Sequence, residues 1–317
     1  MIVAVTGGTG FIGRRLVSRL LAQGCIVRLL TRQESVLTWR SPALEIRHVD
    51  LLTANFFELK AALNGVEILY HCAGQIADNG FMRALHVDAT CRLAQASSGL
   101  IRRWVHLSSV GVYGSVASGV VTEQDLFSPR GEYEVTKAES ELSIAEIARA
   151  NGFEYTILRP SNVYGAMMTN HSLYQMINML NKRLFFFIGK GGASANYIHV
   201  DNVVHAMLLC GSLPQASGQA YNLSDHRTIE CFVGAIAGRL GVSVSQLHFP
   251  EPLIRFAAEL LRFLPGMPLT PARIFALTGR AIYSNEKIKR ELGYDHVISM
   301  EDGLCELVDF WRSQRLV

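Results

Sequence analysis

A tyrosine and a lysine four residues apart are the side chains best suited to chemistry: Tyr133 and Lys137, in Tyr133-Glu134-Val135-Thr136-Lys137. On a helix, positions i and i+4 share a face, so the phenol and the ammonium lie close together. A nearby ammonium stabilises a phenolate and is expected to depress the tyrosine below its usual value of about 10. Such a tyrosine gives or takes a proton at neutral pH while a hydride moves. The competing reading of the pair is an exposed helix couple. Ser108 and Ser109 close the apolar run that begins at Trp104, and a serine hydroxyl there can hold a substrate oxygen.

A hydride needs a carrier, and the first residues offer a place for one. Val3-Ala4-Val5-Thr6 runs into Gly7, Gly10 and Gly13, and a helical pattern follows from Phe11 and Ile12. Glycines at this spacing turn tightly, let backbone N–H groups approach a pyrophosphate, and pack the helix on the strand. The helix N-terminus then faces the negative charge. The second apolar run ends Leu29-Leu30-Thr31-Arg32, with no acid to accept from the ribose hydroxyls. Arg32 is able to pair with a 2′-phosphate, so NADP is favoured over NAD, the alternative being a solvated arginine. Asp50, followed by Leu51 after the third run, is expected at the adenine edge or as a helix N-cap.

These residues need elements to place them. Short apolar runs begin at Ile2, Cys25, Ile46, Ile68, Trp104 and Tyr155, with helical patterns such as Phe11 to Gln23, Thr53 to Leu63 and Glu134 to Ala150 between them. Strand and helix in alternation predict crossover units and a parallel sheet. The fold class is α/β, a doubly wound Rossmann-like parallel sheet with a smaller C-terminal substrate-binding lobe. Residues 1–160, with 196–223 returning to them, are expected to form the dinucleotide-binding domain, and 161–195 with 224–317 the lobe. Phe185-Phe186-Phe187-Ile188 reads as lobe packing or one wall of an apolar pocket. Pro252 to Leu264 reads as an amphipathic helix, with a membrane-surface helix as the alternative.

Composition excludes several classes. The chain has 317 residues, 49% apolar and 18% charged, which predicts a globular protein. Lysine and arginine exceed the acids only by 30 to 27, too weakly for a nucleic-acid footprint. No uncharged run reaches the ~18 residues of a membrane span. A strand pattern starting at Ile2 leaves no room for a signal peptide. Six scattered cysteines read as reduced, mostly buried thiols, and a cytoplasmic location is expected. No two of the ten histidines pair at i, i+4 spacing, so no metal site is expected. Arg102-Arg103 and Lys182-Arg183 read as solvated pairs. Ser109 lacks the glycine two residues before it that a serine-hydrolase elbow requires.

Taken in order, Thr6 to Gly13 (TGGTGFIG), Asp50-Leu51, His71 to Gly74 (HCAG), Leu107 to Gly114 (LSSVGVYG) and Tyr133 to Lys137 resemble the extended short-chain dehydrogenase/reductase family, the NAD-dependent epimerase/dehydratase group. Leu158 to Gly165 (LRPSNVYG), Tyr197 to Val203 and Ser284 to Tyr294 carry the resemblance almost to the end. It implies Tyr133 as acid/base, Lys137 as its partner and Ser109 as the third member, since Ser109 lies five residues before Gly114. Ala73, Gly74, Ser108 and Pro160 are assigned to the cofactor, and Ser109, Asn162 and Tyr197 to a small-molecule substrate. A homodimer is a further expectation. Val110 and Gly111 replace the Asp-Glu pair of the 4,6-dehydratases, so dehydration is not expected. Ala195 stands where sugar-nucleotide epimerases place a diphosphate-binding arginine, and His86 where the family often has asparagine. The resemblance favours a nucleotide-sugar epimerase or 4-ketosugar reductase. The alternatives are a ketone reductase like the 3β-hydroxysteroid dehydrogenases and dihydroflavonol reductases, and a non-catalytic NADP sensor or assembly protein.

Overall fold

Every apolar run of the first 160 residues becomes a strand of one sheet. The computed structural model describes residues 1–32, 41–76, 80–260 and 270–314. Its main sheet has seven parallel strands: β1 (Ile2–Thr6), β2 (Ile26–Thr31), β3 (Leu44–His48), β4 (Ile68–His71), β5 (Arg103–Leu107), β6 (Glu154–Pro160) and β7 (Gln219–Leu223). They lie in the order β7-β6-β5-β4-β1-β2-β3. The chain winds outward from β1 through β2 to β3, then returns to β4 on the other side of β1. That reversal opens a crevice beyond the carboxyl ends of β1 and β4, where such sheets bind ligands.

The inner strands are buried because both faces are covered, whereas the edge strand β3 is largely exposed. Val3 and Val5 face a core built with Leu16, Val17 and Leu20 of α1 (Phe11–Ala22). Val203, Val204 and Met207 of α5 (Val200–Ser212) complete that layer. Ala4 faces the opposite core, which takes Leu59 and Leu63 of α2 (Phe56–Leu63), Leu93 of α3 (Thr90–Ala96) and Ile144 and Ala148 of α4 (Glu132–Asn151). Helix α2 begins three residues later than its pattern suggests. Asn55 caps it, its side chain accepting from Phe57 and Glu58 N–H while Glu58 reaches back to the Asn55 amide.

Arg103 corrects the expectation of a solvated pair. It is fully buried, donates to the carbonyls of Cys210, Gly211 and Leu213, and meets Glu154. The carbonyls at the end of α5 lack intrahelical partners, and the guanidinium supplies them with donors and a compensating charge. The six thiols are all free, yet only Cys25 and Cys210 are buried and Cys231 is exposed, so "mostly buried" is also corrected.

Beyond Pro160 a three-stranded sheet joins Asn162–Tyr164, Ser194–His199 and Asp225–Thr228. Ser118–Val121 pairs with Arg280–Tyr283. Phe185, Phe187 and Ile188 are buried in lobe packing, Phe187 stacking on His248 at 5.0 Å. The amphipathic stretch forms a helix over Glu251–Leu260 whose Leu253, Phe256 and Leu260 are exposed. Its expected continuation, 261–264, lies outside the described residues. Among the described residues no helix is long and apolar enough to cross a membrane.

Candidate active site

The glycine loop forms a cradle that no side chain could enter. Gly7 has φ +65°, and a Cβ on it would lie 2.7 Å from Ala73 N and from the Cys72 carbonyl oxygen. A Cβ on Gly13 would overlap the Gly7 carbonyl. Helix α1 starts at Gly10 with no side-chain cap and no acid in its first turn, which leaves its N–H groups for an anion. Thr6 Oγ1 accepts from Ala73 N–H at 3.2 Å and so ties the loop after β4 to the end of β1. The donor set and the room fit a dinucleotide pyrophosphate over Gly10, Phe11 and Ile12.

The expected adenine end is also ordered by short bonds. Asp50 Oδ1 accepts from Leu52 N–H at 3.0 Å, and Arg92 donates to the Leu51 and Leu52 carbonyls at 2.8 and 3.0 Å. Asp50 is therefore a turn residue; the cap of α2 is Asn55. Arg32 is exposed just past the end of β2. Arg32→Ala is expected to weaken NADPH about tenfold more than NADH, the worth of one charge-assisted bond to a phosphate. Titration of both cofactors checks this, and equal effects remove the 2′-phosphate role.

The chemistry-bearing side chains meet at the start of α4. Glu134 Oε2 accepts from Arg130 and Gly131 N–H at 2.8 and 3.4 Å, closing the N-terminus of the helix. Tyr133 and Lys137 follow on one face. Lys137 is buried, and its Nζ donates to the Leu107 carbonyl at the end of β5 at 3.0 Å. Burial pulls its ammonium down to about 8. The Ser109 side chain lies close enough to the Tyr133 phenol to favour its ionised form. Ser109 sits half-buried past the end of β5, its Oγ also accepting from Gly111 N–H at 3.1 Å.

The expected depression of the tyrosine is not found. Burial raises the Tyr133 phenol above its ordinary value, and only the Ser109 side chain opposes it. The lysine is held by a carbonyl and is itself desolvated, so it does not offset the burial of the phenol. A half-buried neutral phenol suits the acid role, able to give its proton to a substrate oxygen.

Gly74 joins this group: a Cβ on it would lie 3.3 Å from Lys137 Nζ. Ser108 is buried, and its N–H donates to the Leu158 carbonyl at 2.8 Å. Pro160 is buried at the end of β6. Asn162 is exposed, its Nδ2 donating to the Asn196 carbonyl at 3.2 Å. Tyr197 is drawn into the lobe, its ring stacked on Phe232 at 4.5 Å. Ser109, Tyr133, Lys137 and Gly74 thus converge, while Tyr197 packs among lobe aromatics.

Sequence reasoning passed over a second polar group behind the site. Arg159 forms several hydrogen bonds to Glu141 on α4, the shortest 2.6 Å, and donates to Tyr113 OH at 2.7 Å. Tyr113 in turn donates to Asn222 Oδ1 at 2.8 Å. This buried chain holds the Ser109–Gly114 turn, α4, β6 and β7 in one arrangement. The signal available was an arginine inside an otherwise apolar strand pattern, which must find a carboxylate if it is buried.

Comparison with known proteins agrees with this geometry. Residues 3–224 match the model of the NAD dependent epimerase/dehydratase family. The chain is 30% identical to a 4-hydroxy-2-methyl-3-oxo-4-farnesyl-3,4-dihydroquinoline-1-oxide ketoreductase of Stigmatella aurantiaca, over 96% of this chain and 94% of that protein. It is 27% identical to a UDP-glucose 4-epimerase of Mycolicibacterium smegmatis, over 99% of both. The fold superposes on UDP-glucuronic acid 4-epimerase from Bacillus cereus, solved with NAD, at a TM-score of 0.78, 18% identity and 99% coverage of each chain. A strand–glycine–helix cradle, a tyrosine–lysine pair on α4 and a match over most of the chain meet in one molecule, which belongs to the NAD-dependent epimerase/dehydratase family of NAD(P)-dependent enzymes.

Proposed function

We propose that this protein reduces a ketone, or oxidises the matching secondary alcohol, on an apolar ring-bearing substrate, with NADP(H) preferred. The observation that carries the reaction type is the Ser109 side chain beside the Tyr133 phenol, one helical turn from the buried Lys137. When bound, the nicotinamide supplies or takes the hydride. Ser109 holds the substrate oxygen, and Tyr133 gives that oxygen its proton as the ketone becomes an alcohol. Lys137, anchored at the Leu107 carbonyl, is placed to hold the cofactor in reach of that proton transfer. In the oxidative direction Tyr133 takes the proton back.

The substrate class rests on the lobe. Ala195 is 2% exposed and packed with Phe185, Phe187 and Phe232, so this strand offers no cation to a diphosphate. The 30% identical relative is named as a ketoreductase of a farnesylated ring system. A second reading, nucleotide-sugar epimerisation, draws on the exposed Asn162 and on the UDP-glucose 4-epimerase relative. Dehydration remains disfavoured, because Val110 and Gly111 bring no acid to the site, and a Cβ on Gly111 would press on Glu134 Cγ at 3.3 Å and Ser109 Oγ at 3.4 Å.

NADPH oxidation followed by absorbance separates the readings. Fused-ring ketones are expected to turn over with a kcat/KM at least about tenfold above that of a nucleotide 4-ketosugar, the scale on which apolar pocket contacts discriminate. Turnover of the sugar nucleotide alone defeats the apolar reading.

A further inference from the structure

Lys137 is surrounded by three buried histidines. His71 and His106 face each other across β4 and β5, stacked at 5.6 Å. His71 bonds Thr6 Oγ1 at 2.8 Å and Thr90 Oγ1 at 2.9 Å, and His106 bonds Ser140 Oγ at 3.2 Å. His86 lies in a π-helical turn, Ala84–Ala89, just before α3. Such turns displace one residue out of the regular ladder and often serve a site.

The hydrogen bonds of His86 fix its protonation. Gln75 N–H donates to Nε2 at 2.9 Å, so Nε2 carries no proton and Nδ1 does. Nδ1 donates to Thr136 Oγ1 at 2.9 Å, and Thr136 donates onward to the Glu132 carbonyl at 2.8 Å. The imidazole edge meets the Tyr133 ring at 5.7 Å. A Cβ on Gly74 would touch both Lys137 Nζ, at 3.3 Å, and His86 Nε2, at 3.4 Å. One ring therefore joins the turn after β4, the catalytic face of α4 and the tyrosine.

We propose that His86 is a positioning residue: its neutral imidazole, held between Thr136 and the Gln75 amide, keeps the Gly74–Gln75 turn closed over Lys137 and supplies the lysine with a polar, uncharged neighbour. The role deepens the reductase reading of this site and rests on it. Burial first, and the Lys137 charge second, hold His86 and His71 at about 3, and push His106 well below its ordinary value. The ring therefore stays neutral at any working pH. Lys137 otherwise feels Cys72 and Glu141. A hydrocarbon in place of the imidazole leaves the Gln75 amide without its acceptor and desolvates the ammonium further. The midpoint of Lys137 then moves down.

The test compares His86→Phe with His86→Asn, which keeps an acceptor for Gln75. Binding of NADPH and NADH is followed across pH by protein fluorescence. The Phe variant is expected to bind the preferred cofactor about tenfold more weakly at neutral pH, the consequence of an unmade buried hydrogen bond. Its alkaline midpoint is expected about half a unit or more below that of the wild type, as added desolvation requires. The Asn variant keeps the wild-type midpoint. His86→Leu carries the same expectation as the Phe variant if the latter does not fold. An unmoved midpoint in the Phe or Leu variant overturns the proposal whatever happens to affinity, since a purely structural histidine would weaken binding without it. Failure of the proposed reaction is read separately, as a wild-type chain that binds cofactor but reduces no ketone.

Discussion

Tyr133→Phe is expected to lower kcat for ketone reduction at least about 100-fold, the contribution of a positioned general acid. NADPH affinity changes little, because the phenyl ring keeps its place against His86. Only the hydroxyl beside Ser109 is lost, the one that carries the proton in the proposed reaction. Steady-state rates together with a binding titration check both halves. A variant with wild-type turnover removes Tyr133 from the chemistry and points to a different proton donor. The pH profile adds an independent mark. Lys137 is charged below about 8 and neutral above it. Reduction needs both that charge and a protonated Tyr133, so its rate is expected to fall as pH rises through the lysine midpoint. A rate that climbs through this range contradicts the assignment.

Glu141→Ala is the variant with the largest expected effect on stability, about 3–5 kcal/mol by urea or guanidinium unfolding. Glu141 and Arg159 are both nearly fully buried, and the guanidinium also stacks over Phe127 at 4.8 Å. Removal of the carboxylate strands a charge where water cannot reach it. Glu141→Ala combined with Arg159→Met is expected to recover part of the loss, since an apolar pair of similar volume costs less than an orphaned ion. A loss below about 1 kcal/mol for the single variant refutes the argument, because that is the range of an exposed pair.

The tyrosine and the arginines show where local reasoning stopped. The i, i+4 rule placed Tyr133 and Lys137 on one face, but it assumed water around them. Burial reversed the tyrosine shift and directed the lysine to the Leu107 carbonyl. Arg103 was expected to be solvated, yet it is buried; Arg28 of β2 is buried as well, donating to the Ala62 and Asn64 carbonyls near the end of α2. The carbonyls that receive them lie more than 30 residues away along the chain. No spacing rule reaches that far.

What the order of amino acids determined alone was the sheet, its doubly wound character and the glycine cradle, each from periodicity or steric freedom within a few neighbouring residues. The grouping of Tyr133, Lys137 and Ser109 rested instead on the family resemblance. Tertiary structure alone decided the protonation of those groups, the neutral histidines around Lys137, the Arg159–Glu141 chain and the burial of Ala195. These depend on which distant atoms exclude water from a side chain, and only the folded chain brings such atoms together.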